Sequence, residues 1–345
     1  PAMFLLHAAW VQRHFSFLLK VFCCSVAVAC VATVLLYWLP EDVTRNLVKS
    51  FPMLREYPET FSREAFGLYS PFIDRIQFSS LIGLAILSCL YMLQGPKKWL
   101  PALLLPLLGY TMMVLGGRGG QLALLVSLLV PGIYWVYKLL SRKVFPNLSK
   151  TAVGGISTFF VVLVLAFLPF AAYHTNSAVH TRVNQSLWEI SEIRSGHYDP
   201  DNFLHFTTVR RLVSWQNLWR IIEEQPILGT GTGDFGDAIT RAYESDEYPL
   251  IENIHNQYLM FWAMLGIVGL AVFVGVMAYW AVRMKNQGAV TIFAWSVLLF
   301  YAVNMIPDAV LYQQIDNMAF CAFLSMIGLC RGESHSPKSE RKKPA

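Results

Sequence analysis

Eight stretches of this 345-residue chain are apolar over close to the length that a helix needs to cross a bilayer: about 15–39, 78–94, 99–116, 119–137, 152–173, 257–282, 289–305 and 316–330. A hydrocarbon core about 30 Å thick calls for roughly 20 mostly apolar residues per helix. Composition agrees: 55% of the residues are hydrophobic, only 14% are charged, and the mean hydropathy is +0.45, far from the balance of a soluble domain. Backbone polar groups in lipid must be satisfied within the segment itself. The pattern therefore predicts an all-α polytopic membrane protein.

Orientation follows from the lysines and arginines in the short connections. With the amino terminus inside, the inner loops hold Lys97 and Lys98, then Lys138, Arg142, Lys143 and Lys150, then Arg283 and Lys285. The tail adds Arg331, Lys338, Arg341, Lys342 and Lys343, whereas the short outer turns hold Arg118 alone. Four regions result: about five helices in 1–173, a large outer loop at 174–256, about three helices in 257–330, and a basic inner tail at 331–345. The net charge of +5 reflects the inner loops and a tail held near anionic lipid, so it gives no indication of nucleic acid. All six cysteines fall in apolar segments, where they are expected to be small buried hydrophobes rather than a disulfide framework. The opening "PAMFLLHAAW" lacks the charged start of a cleavable signal, and further residues are expected to precede Pro1.

The outer loop is far too long to be a mere connection, so the chemistry is expected there. It contains six arginines (Arg182, Arg194, Arg210, Arg211, Arg220 and Arg241) and no lysine. A guanidinium fork binds phosphate oxygens bidentately where an ammonium is only a point charge, although most of these arginines are expected to form surface salt bridges with the twelve acidic residues of the same loop. Two segments read as amphipathic helices lying near the membrane surface, one with Val179, Val183, Leu187 and Ile190 on a stripe, the other with Leu212, Trp215, Leu218, Trp219 and Ile222. "GTGTGDFG" at 229–236 contains a G-x-G-x-x-G pattern, but no strand precedes it, and it is read as a tight loop ending a helix rather than a nucleotide fingerprint. Asp199 and Asp201, or Glu244, Asp246 and Glu247, are oxygen donors that could hold a divalent ion. They are read as solvated acids, and no metal or cofactor is expected.

Of the five histidines in this region, only His255 stands at the first turn of a spanning helix. A helix amino terminus favours anions, phosphate above all, and a neutral imidazole is a competent general base.

His255, Asn256, nine residues, Gly266, two residues and Gly269 resemble the H-[NSQ]-x9-G-x-x-[GTY] signature of the bacterial O-antigen ligases, within the wider family of membrane ligases and polymerases. Two further segments are similar to family patterns: "GGRGGQLALL" around Arg118, with Gly117 in place of the usual serine, and "W…E-x-P-I-L-G-x-G-x-G" over Trp215 to Gly233. The resemblance implies a glycosyltransferase of the GT-C type in the bacterial inner membrane, with 174–256 as a periplasmic loop. It implies a donor, O-antigen polysaccharide on undecaprenyl pyrophosphate, and an acceptor, a sugar of lipid A-core. It also implies His255 as base and Arg118, Arg182 and Arg210 at the pyrophosphate, with Asn256, Arg211 and Trp215 in support, in an inverting reaction without a metal. Gly266 and Gly269 are expected to allow close helix packing, and the glycines around Arg118 close approach of substrate. In the turn at 307–317, Asp308, Gln313 and Asp316 are possible sugar contacts or simply solvated. An O-antigen polymerase or a protein O-oligosaccharyltransferase would share these features and differ in acceptor. A lipid-linked glycan transporter fits less well, since there is no internal repeat and no ionisable residue near the middle of an expected span.

Overall fold

The computed structural model describes residues 6–51, 68, 70–175, 177–195, 207–244 and 254–330. Among them every regular element is helical, and each of the eight apolar stretches forms helix. In chain order these are α1 (Ala8–Trp38), α2 (Glu41–Lys49), α3 (Arg75–Met92), α4 (Trp99–Val114), α5 (Arg118–Ser127) and α6 (Leu129–Leu139), then α7 (Lys150–Thr175), α8 (Ser177–Ser195), α9 (Thr207–Glu224), α10 (Phe235–Glu244), α11 (Gln257–Arg283), α12 (Ala289–Asn304) and α13 (Gln314–Leu329). Five helical stretches are long and apolar enough to cross a membrane: α1, α3, α5 continuing through α6 to Val144, α7 and α11. The other three, α4, α12 and α13, have 16 residues each. The protein is an all-α, multi-pass membrane protein.

The chain forms two compact units, Pro1–Leu124 with Tyr279–Tyr301 and Gln313–Ala345, and Leu125–Ala278 with Ala302–Tyr312. In the first, α1 packs on α3, α4 and α13 around Leu19, Cys23, Phe78, Ile82, Phe300 and Phe323, all buried. Gly83 lets the ring of Phe300 lie against α3, in space that a Cβ would occupy. Asp74 caps α3, its carboxylate accepting the Ile76 N–H at 2.8 Å. α1 starts earlier than the sequence suggests, which brings Lys20 closer to the middle of a helix than the expected span had it. All six cysteines are free thiols, three of them buried.

In the second unit α6 and α7 form a hairpin, Gly132 making room for Val161. Helices α8, α9 and α10 follow. The core of this unit gathers Leu218, Ile221 and Ile222 of α9, Phe235 and Ala238 of α10, Met260 and Ala263 of α11, and Ala309. The apolar stripe of α8 faces outward: Val183, Leu187 and Ile190 are exposed, while Glu189 between them is buried. The stripe of α9 is split, with Leu218 and Ile222 in the core and Leu212 and Trp219 exposed.

Helix α11 is not continuous. Gly266 has φ 67° and ψ −179°, a conformation essentially reserved for glycine. The expected role of Gly266 in helix–helix packing is thus corrected. It breaks the helix, and the connection between α9 and α10 fills the break.

Candidate active site

The site grows from two helix starts in the second unit. α9 begins where Glu189 of α8 accepts the backbone N–H of Thr208 at 2.8 Å. Only 2% of Glu189 is exposed, so a buried carboxylate satisfies one of the donors that every helix leaves unpaired at its amino end. The residues that follow are Arg210, Arg211 and Trp215.

α11 begins with Asn256 as its cap, Oδ1 accepting from the N–H groups of Tyr258 at 2.9 Å and Leu259 at 3.0 Å. The Gln257 N–H donates to the Met305 carbonyl at 3.0 Å, and Gln257 Oε1 accepts the Leu311 N–H at 2.7 Å. The Tyr258 hydroxyl donates to the Ala302 carbonyl at 2.8 Å. These bonds fasten residues 302–312 to the start of α11 and bring Asp308 to His255. The helix end that was expected to face an anion has its first N–H groups engaged inside the protein.

His255 Nδ1 lies 2.9 Å from Asp308 Oδ1, and Arg211 Nη2 lies 3.7 Å from the same oxygen. Their side chains are 15% (His255), 8% (Asp308) and 25% (Arg211) exposed. A carboxylate only accepts, so Nδ1 carries the proton and Nε2 keeps the lone pair. Asp308 thereby fixes tautomer and ring orientation and stands ready to balance an imidazolium, as the buried aspartate does in hydrolase triads. Trp215 secures the backbone, its indole N–H donating to the His255 carbonyl. Next to Arg211, Arg210 is half-buried. The Nε groups of both arginines and Oδ2 of Asp308 are buried without a hydrogen-bond partner among the described residues. Buried donors of that kind are costly until an acceptor arrives, and an anion is the natural acceptor for a guanidinium.

The structure therefore brings His255, Asn256, Arg211 and Trp215 together, with Arg210 adjacent in the sequence of α9. Arg118 opens α5 in the first unit and is exposed. Its neighbours Gly117 and Gly120 sit against Ser79, where a Cβ would overlap. Gly117 and Gly120 thus serve packing of the turn on α3. Arg182 belongs to α8, and its side chain lies outside the described residues. Arg220 ties α9 to α10, donating to Asn217 Oδ1 at 3.0 Å and the Ala242 carbonyl at 3.4 Å. Asp199, Asp201, Asp246 and Glu247 also lie outside the described residues.

Sequence reasoning missed two participants. Asp308, read as a sugar contact or a solvated turn, is the partner of His255, and Glu189 caps the arginine helix. Gln313, from the same turn, instead accepts from Gln77 at 2.8 Å, and Asp316 is fully buried.

The family described as O-Antigen ligase matches residues 101–274, half of the chain. The chain belongs to the O-antigen ligase family. That family comprises glycosyltransferase-like ligases and polymerases. Within this O-antigen ligase family member, the matched span takes in Arg118, Arg182, Arg210, Arg211, Trp215 and His255 and stops short of Asp308. No curated protein matches the chain.

Proposed function

We propose that this protein is an O-antigen ligase of the GT-C type, in the bacterial inner membrane, with residues 174–256 on the periplasmic side. It moves O-antigen polysaccharide from undecaprenyl pyrophosphate to a sugar of lipid A-core. The observation that carries the reading is the hydrogen bond between His255 Nδ1 and Asp308, which presents Nε2 as a base. Nε2 takes the proton of the acceptor hydroxyl, and the oxygen attacks the anomeric carbon of the donor's terminal sugar. The bond from that carbon to the pyrophosphate oxygen breaks on the opposite face, so the anomeric centre inverts. Negative charge gathers on the departing undecaprenyl pyrophosphate. Arg210, Arg118 and Arg182 are assigned the task of stabilising it, because a guanidinium fork binds phosphate oxygens bidentately. The proton shared by His255 and Asp308 stays on Nδ1, and the imidazolium is balanced by the carboxylate, which also pairs with Arg211, while Trp215 secures the His255 backbone.

The test is a bacterium lacking its own ligase and supplied with matching donor and core genes. Wild-type protein is expected to restore a ladder of capped lipopolysaccharide on a gel, and His255→Ala to leave lipid A-core bare at equal protein level. Bare core together with longer undecaprenyl-linked chains from the wild type would make the protein a polymerase instead.

A further inference from the structure

The connection between α9 and α10 belongs to the region read as an outer loop, yet it is bonded to the body of a spanning helix. Where Gly266 interrupts α11, the N–H groups of Thr230 and Gly231 donate to the carbonyls of Ala263 and Met264, both at 2.9 Å. On the other side of the break, the Ile267 and Val268 N–H groups donate to the carbonyls of Pro226 and Ile227 at 2.9 and 3.4 Å. The loop thus takes up helix hydrogen bonds that the break leaves open. Contact is backbone to backbone: a Cβ on Gly266 would overlap the Ile227 carbonyl, and one on Gly229, at φ 71°, would overlap the chain at Met264–Gly266.

Depth follows from helix geometry. At 1.5 Å per residue, residues 263–268 lie roughly 10–15 Å along α11 from its start at Gln257. A helix of this length is about 40 Å long against a hydrocarbon core of about 30 Å. Even with all of the excess placed at the amino end, the break reaches into the hydrocarbon. Non-helical backbone is tolerated at that depth only when its polar groups are paired inside the protein, as these are. The side chains agree: Ile227 and Leu228 are 63% and 75% exposed, placements that water disfavours and acyl chains favour. Just above, Trp262 donates its indole N–H to the Pro226 carbonyl at 3.0 Å and packs edge-on against Trp219, ring centres 5.6 Å apart, aromatics of the kind found where hydrocarbon meets headgroups.

We infer that residues 226–231 form a re-entrant segment that dips into the outer hydrocarbon layer beside α11, with Ile227 and Leu228 against lipid acyl chains. The active-site helix α9 is thereby anchored in the bilayer at its carboxyl end. This rests on the multi-pass fold and not on the transfer reaction, so the test is independent of activity.

The experiment compares Leu228→Cys with Asp234→Cys, the latter exposed beyond the loop, each in the otherwise native chain with the parent as labelling background. Unsealed membrane fragments, open at both faces, are treated with a sulfonated, bilayer-impermeant maleimide. The expected result is rapid labelling at 234 and at least a tenfold slower rate at 228, rising to the rate at 234 when the membrane is dissolved in detergent. Adding Gly266→Ala to Leu228→Cys is expected to raise labelling in intact fragments by expelling the loop. Equal labelling of both sites in membranes overturns the inference, because position 228 would then be in water. Failure of position 228 to label in detergent also overturns it, because the side chain would then be covered by protein.

Discussion

At the scale of single residues, the site depends on a proton held in one place. Asp308→Asn preserves the shape of the contact with His255, but an amide that donates to Nδ1 leaves the proton on Nε2 and no base facing the acceptor. By analogy with hydrolase triads, transfer is expected to fall roughly 10²–10⁴-fold, measured as initial rate of donor consumption with protein level unchanged. A rate within threefold of wild type would make the carboxylate dispensable. Arg210 tests the anion side. Arg210→Ala is expected to slow transfer by roughly 10²-fold or more, and Arg210→Lys to recover only part of the loss, because an ammonium supplies charge without the bidentate fork. His255 was visible in the sequence because a polar run meeting an apolar helix is itself a signal, whereas Arg211 and Trp215 stood out only as one of six loop arginines and as part of an amphipathic stripe. Asp308 was not visible, because α11 and α12 separate it from His255 in the chain, and nothing in a single sequence says which outer turn folds back onto which helix start.

At the scale of elements, two devices set the geometry. Glu189 caps α9 from a neighbouring helix, so Glu189→Ala strands a buried N–H and is expected to cost about 1–3 kcal/mol of stability, read as a lower thermal midpoint, with Glu189→Gln milder. Gly266 opens α11 for the inserted loop. Gly266→Ala combines a left-handed backbone position with a clash against Ile227 and is expected to destabilise the fold by about 2 kcal/mol or more; an unchanged thermal midpoint would contradict the break. The existence of the apolar helices was legible, as were the starts of α4, α11, α12 and α13, which fall within a residue or two of the sequence reading, but not the earlier start of α1 or the division of the 119–137 stretch into α5 and α6. The break was not legible. Apolar residues run through 257–282 without interruption, and hydropathy registers composition rather than φ. The pairing of "PILG" with Gly266 joins two motifs that the sequence displayed separately.

At the scale of the molecule, lipid as solvent explains the outward face of α8. A soluble protein would bury Val183, Leu187 and Ile190; here they are exposed while Glu189 turns inward, the arrangement expected of a helix lying on a bilayer with its polar work directed to the protein. On the proposed topology the polar groups of the site gather at one membrane face, with His255 at the start of α11, as an enzyme acting on substrates anchored in the bilayer by lipid would require. On the proposed mechanism His255, poised by Asp308, is the base of glycan transfer. Its most direct test is the single-turnover rate of glycan transfer from undecaprenyl pyrophosphate to lipid A-core in proteoliposomes, for wild type and His255→Ala at matched donor occupancy. A loss of at least 10²-fold with donor binding retained is expected. Transfer by His255→Ala at a rate near that of the wild type would contradict it.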